Sequence, residues 1–159
     1  MNHQLESELR RVAHACADAA AVETLKFFRR ADLVSENKAQ DADQSVPDEA
    51  ADAGALAGDV SKVDAFDPVT LGDRRAEQAM RSVLGKMRPM DAILGEEQAA
   101  QSGTSGLTWV LDPIDGTRGY ISGTPTWGTL IALSDATGPR YGIISQPYIG
   151  ERFEGGMGV

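Results

Sequence analysis

Two carboxylates three residues apart, Asp112 and Asp115, close the apolar run Trp109-Val110-Leu111 and are followed by Gly116 and Thr117. Oxygen side chains suit a hard divalent cation such as magnesium, which takes one or two carboxylates and keeps the rest of its shell for water and phosphate oxygens. A glycine lets the backbone come close to an anion, and a helix starting at Thr117 presents unpaired N–H groups to it. One short segment could therefore hold metal and phosphate together. Strand side chains alternate between faces, so Asp112 and Asp115 are expected to leave the sheet to converge. Upstream lie two more acidic segments, Asp67-Pro68-Val69-Thr70-Leu71-Gly72-Asp73 and Gly95-Glu96-Glu97. Each segment also has an ordinary reading: Asp115-Gly116 as a turn, Asp73 as a cap of its helix, Glu96-Glu97 as an exposed loop.

The elements that must position these residues follow from periodicity. Leu5, Leu9, Val12, Cys16 and Ala19 or Ala20, continued by Leu25, Phe27 and Phe28, predict a helix from about Gln4 to Arg29. Cys16 and His14 fall within it, and Cys16 reads as a small buried residue, with no base in view to activate it. A second helix is expected from Thr70, with Ala76, Ala79, Met80, Val83 and Leu84 on one face and Gly85 ending it. Strands are expected at Asp91–Leu94, Leu107–Leu111, Gly128–Ser134 and Tyr141–Gln146, with Ala136-Thr137-Gly138-Pro139 as a turn and a short helix near Thr117. Trp127 reads as core packing before any ligand contact. Between Ala39 and Asp64 the chain is alanine-rich, acidic and free of aromatic residues, which reads as a mobile loop. The pattern is α+β, helices packed on a mainly antiparallel sheet.

At 159 residues, with 42% hydrophobic and 25% charged residues, one domain with one core is the expected organisation. A net charge of −9 argues against a general binder of nucleic acid or anionic membranes and suits cation binding. No apolar run approaches a bilayer span, and Glu6, Glu8 and Arg10 stand where a signal peptide is apolar, so a cytoplasmic location is expected. A single cysteine permits no internal disulfide, and the two histidines have no zinc-like spacing.

The three acidic segments, in this order, resemble the signature of the inositol monophosphatase superfamily, magnesium-dependent, lithium-sensitive phosphomonoesterases. Arg118-Gly119-Tyr120-Ile121-Ser122-Gly123, Pro125-Thr126-Trp127-Gly128-Thr129-Leu130 and Gln146-Pro147 with Gly150-Glu151-Arg152-Phe153 look most like its histidinol-phosphate phosphatase branch. The resemblance implies the layered α/β sandwich of the inositol monophosphatase and sugar phosphatase type. It also implies two or three Mg2+ ions, with Mn2+ as a substitute. Glu96, Asp112 and the Ile114 carbonyl would hold the first ion, and Asp112 and Asp115 the second, about 3.5–4 Å away. Gly116 and Thr117 would hold phosphate. Asp73 and Thr117 would orient and deprotonate water, with Glu96 in the catalytic set. Lys38 matches a family lysine near the metal–water cluster, and Glu97 is either a ligand of metal-held water or a base behind it. Residues 39–64 are an insertion relative to the usual pattern. The substrate implied is a small phosphomonoester, histidinol phosphate first and inositol 1-phosphate second, and a homodimer is the assembly the family leaves open.

The likeness runs from about Ala19 to Glu154, the N-terminal half of the usual fold, so residues 1–159 are expected to form a truncated phosphatase domain. The family's Trp-Asp-x-Ala motif has no counterpart in the chain. Two expectations therefore stand side by side. One is an enzyme or its metal-binding part, with small activity that needs high magnesium. The other is an inactive fragment that binds metal or pairs with another chain. Gly155-Gly156-Met157-Gly158-Val159 is expected to lie mid-sheet in the whole protein, leaving an apolar edge open here.

Overall fold

The computed structural model describes residues 3–29 and 71–158. Lys38, the Asp67–Thr70 stretch and the 39–64 segment lie outside the described residues. Helix α1 spans His3–Phe27 and α2 spans Leu71–Met87. Five strands follow: β1 Ala92–Gly95, β2 Thr108–Asp115, β3 Gly128–Asp135, β4 Gly138–Gln146 and β5 Glu151–Gly156. A one-turn helix, α3, Thr117–Ile121, leaves the end of β2.

The strands form one sheet in the order β1-β2-β3-β4-β5. The sheet is mixed: β1 runs parallel to β2 and the other neighbours are antiparallel. Both long helices lie on one face. Leu9, Val12, Ala13, Cys16, Ala17 and Ala20 of α1 meet Ala76, Met80 and Leu84 of α2 over Ile93, Trp109, Leu111, Ile131, Leu133, Tyr141 and Ile143. The small residues of α1 recur at helical spacing, which lets the helices approach closely and bury a continuous apolar stripe. Cys16 is buried there, its thiol against the Met80 carbonyl at 3.8 Å and pushed up to about 12 by burial, as suits a small apolar core residue.

Polar ties fix the layers. Trp109 Nε1 donates to Asp91 at 2.9 Å, and Arg88 grips Asp91 with two bonds at 2.8 and 3.1 Å while reaching Glu8 on α1. At the far edge Arg10 and His14 of α1 meet Glu154 of β5 at 3.0 and 2.9 Å, and Tyr141 donates to the same carboxylate.

Two details depart from the expected pattern. Gly85 does not end α2; the helix runs to Met87, Arg88 N–H still bonds the Leu84 carbonyl at 2.7 Å, and nothing crowds the glycine. The β3–β4 turn needs only Ala136 and Thr137, because Asp135 already pairs with Gly138. Gly155 and Gly156 end β5, an edge strand of the sheet, and one sheet face is open as well: Leu94, Val110, Ile144 and Phe153, opposite the helices, are 50%, 38%, 51% and 56% exposed. A groove of about 470 Å³ runs along it between Leu130, Ile144 and Phe153.

A candidate metal and phosphate site

A β-bulge builds the site. Asp112 pairs with Leu130 and Asp115 with Gly128, so three steps along β2 oppose two along β3 and one residue is extra. In a regular strand, residues i and i+3 point to opposite faces. The extra residue turns Ile114 into the interior and returns Asp115 to the open side that Asp112 occupies. The expectation that the two aspartates leave the sheet is corrected here: β2 continues through Asp115, and the bulge does the converging. Pro113 explains its place, since proline has no N–H for the ladder and is tolerated at bulges. Thr129 Oγ1 steadies it by donating to the Pro113 carbonyl at 2.8 Å.

Beneath the bulge a second apolar cluster holds Phe27, Phe28, Ile114, Tyr120 and Trp127. Tyr120 and Trp127 meet edge to face at 4.9 Å, and Tyr120 OH donates to the Thr24 carbonyl at 2.6 Å. Trp127 is thus core, as its setting in sequence suggested, and immediately precedes β3. Gly116 sits between bulge and α3 with φ +84°, and a Cβ there would stand 2.6 Å from the Thr126 carbonyl oxygen. Only glycine fits that backbone and that gap. Thr117 Oγ1 donates back to the Ile114 carbonyl at 3.1 Å.

The parallel register places Gly95 beside Leu111, so Glu96 emerges next to Asp112. The Glu96 carboxylate lies close enough to act on the charge of Asp112. Asp73, in the first turn of α2, is buried and within electrostatic reach of both Asp112 and Glu97. Burial first, then Glu96, Asp115 and Asp73, push Asp112 up to about 7. Burial, then Asp73, Glu96 and Glu77, push Glu97 up to about 7, with Arg74 opposing. The structure thus gathers Asp73, Glu96, Glu97, Asp112 and Asp115 into one negative field, with Gly116, Thr117 and the Ile114 carbonyl at its rim.

As the side chains stand, no three His, Cys, Asp or Glu groups among the described residues are closed into a metal cage. Two observations nevertheless fit a hard cation. Asp112 Oδ1 is buried without a hydrogen-bond partner, a costly arrangement for a carboxylate unless a cation completes it. The surrounding donors are all oxygens, the ligand type magnesium and manganese prefer.

Glu77 was passed over in sequence. It lies one turn beyond Asp73 on α2, is fully buried, and accepts the Glu97 and Gln98 N–H groups at 2.7 and 3.2 Å. The spacing Asp73, Glu77, Arg81 is the signal that could have found it, because residues four apart share a helix face.

A sequence model of the inositol monophosphatase family matches residues 6–158. The chain is 37% identical over 147 residues to a histidinol-phosphatase of Streptomyces coelicolor, covering 90% of this chain and 46% of that protein. Over 122 residues it is 34% identical to an inositol-1-monophosphatase of Mycobacterium bovis, 72% of this chain and 38% of that one. It superposes on an inositol monophosphatase from Zymomonas mobilis with a TM-score of 0.62 at 37% identity, covering 98% of this chain and 49% of the other. The chain spans about half the length of the Streptomyces and Zymomonas proteins. Because the match runs through both packed helices, the Glu96-Glu97 turn and the bulged strand alike, the chain belongs to the inositol monophosphatase family.

Proposed function

We propose that the chain supplies the metal- and phosphate-binding part of a magnesium-dependent phosphomonoester hydrolase whose substrate is histidinol phosphate. The observation that carries this reading is the buried, unpartnered Asp112 oxygen set among Glu96, Asp115 and Asp73. Glu96, Asp112, Asp115 and the Ile114 carbonyl would hold the metal. When bound, divalent cations neutralise phosphoryl oxygens and make water easier to deprotonate.

The chain's own groups do the rest. Gly116 leaves the backbone bare where an anion can approach, and the start of α3 supplies N–H donors to phosphate. Asp73, fixed by burial at the start of α2, takes a proton from the attacking water, and the Thr117 hydroxyl orients that water. Direct displacement by water leaves no covalent intermediate on the protein. Similarity to histidinol-phosphatases supports the substrate, with inositol 1-phosphate as the alternative that the Mycobacterium bovis relative supports. The cytoplasm and a homodimer belong to the same proposal; no helix among the described residues is long and apolar enough to cross a membrane.

Phosphate release from the two substrates at matched magnesium tests the assignment. Faster release from histidinol phosphate is expected, and a clear preference for inositol 1-phosphate refutes the substrate. Release from neither leaves metal binding without turnover and refutes the hydrolase reading for this chain.

A further inference from the structure

We propose that Glu77 is a positioning residue for the carboxylate site, locking the Gly95–Gln98 turn to α2 so that Glu96 and Glu97 face Asp112. The proposal rests on the metal-site reading above. Four contacts converge on this one side chain. One Glu77 oxygen accepts the Glu97 N–H at 2.7 Å; the other accepts the Gln98 N–H at 3.2 Å and the Arg81 guanidinium at 2.7 Å. Arg81 then donates to the Gln98 carbonyl at 3.2 Å, so the pair grips both a donor edge and an acceptor of the same turn. Bonds between a charged group and backbone N–H are shorter and stronger than neutral ones.

The fourth contact is steric. A Cβ on Gly95 would fall 2.1 Å from Glu77 Oε1, so the carboxylate occupies the space a side chain needs at the last residue of β1. Glycine at 95 and glutamate at 77 are two halves of one fit. The stripe on α2 then has a division of labour. Asp73 at its start faces the site, while Glu77 and Arg81, one and two turns on, hold the loop that brings Glu96 to Asp112. A buried carboxylate fully employed on a turn carrying site residues has the same relation to those residues as outer-shell partners have to metal ligands.

Mn2+ binding followed by electron paramagnetic resonance, beside thermal unfolding, tests this in the full chain. Glu77→Gln keeps the shape but turns one acceptor into a donor facing N–H groups, so the Mn2+ dissociation constant should rise roughly 10- to 100-fold. An unchanged dissociation constant, whatever the melting temperature does, overturns the proposal, because a purely structural role moves only stability. If Glu77→Gln does not fold, Gly95→Ala tests the same fit from the other side; it pushes the flexible end of Glu77 aside and should also weaken Mn2+ binding, and unaltered binding refutes the proposal. Asp112→Asn separates the two readings. Wild-type Mn2+ binding that Asp112→Asn leaves intact sinks the metal site itself, and the role given to Glu77 with it. Asp112-dependent binding that ignores Glu77 sinks only the present proposal.

Discussion

Replacing Asp112 by asparagine should make the metal-free protein more stable above pH 7 and deaf to magnesium. Asp112 is an acid whose pKa rises from 3.8 to about 7 in the folded chain. Between those values the folded state holds a proton that the unfolded state has released, so stability falls as pH rises through the window and the full penalty stands above pH 7. A lift of about three pKa units corresponds to roughly 4 kcal/mol at about 1.4 kcal/mol per unit. The carboxylate is only half-buried, so solvent screening leaves about 1–2 kcal/mol of it to appear as stability. Asparagine keeps the shape without the charge, so the gain should be full at pH 8 and absent only near pH 3, below the ordinary aspartate range, where the carboxyl is neutral in both the folded and the unfolded chain. Urea unfolding at both pH values, with chelator and then with magnesium, measures it. At about 100-fold excess over its dissociation constant, magnesium should stabilise the wild type by about 2.7 kcal/mol and the variant by nothing. An Asp112→Asn protein that is less stable than wild type at pH 8 without metal, or that responds equally to magnesium, refutes the reasoning.

Three further outcomes follow from the same contacts. Gly116→Ala combines φ +84° with a Cβ 2.6 Å from the Thr126 oxygen, and should cost about 2–3 kcal/mol in denaturant unfolding. Asp91→Ala removes the partner of both Trp109 Nε1 and Arg88; a loss of about 3 kcal/mol is expected, and a loss below 1 kcal/mol, by the usual scale of exposed pairs, would show the network to be ornamental. Glu154 is held down to about 2, first by the Tyr141 hydroxyl and, against burial, by His14 and Arg10. Its stabilisation is full above the ordinary glutamate range and is lost as pH falls toward 2, so Glu154→Gln should lower the melting temperature at pH 7 and leave it nearly unchanged near pH 2.

Much of this is legible in the sequence alone. The apolar spacing of Leu9, Val12 and Cys16, and of Ala76, Met80 and Leu84, placed both long helices, because burial against a sheet imposes the 3.6-residue period. The acidic segments marked the right neighbourhood. The bulge was hidden because it arises from pairing with β3, which brings Gly128 opposite Asp115, and no local pattern encodes a partner's register. Strand β5 escaped because Glu151-Arg152-Phe153-Glu154-Gly155-Gly156 has one large apolar residue and two glycines; its pairing with β4 and the ties of Arg152 and Glu154 to α1 hold it in place. Glu77 was overlooked because a charge on a helix ordinarily faces water, and only the folded turn shows the two N–H groups that take it inside. Gly85 misled for the converse reason: glycine permits a helix end without requiring one.

The central claim is that the bulged Asp112–Asp115 segment holds metal and phosphate together. Calorimetric titration of magnesium into the chain, with and without inorganic phosphate, tests it most directly. The account predicts binding that tightens when phosphate is present and disappears in Asp112→Asn. Magnesium binding indifferent to both phosphate and Asp112, or no binding at all, contradicts it.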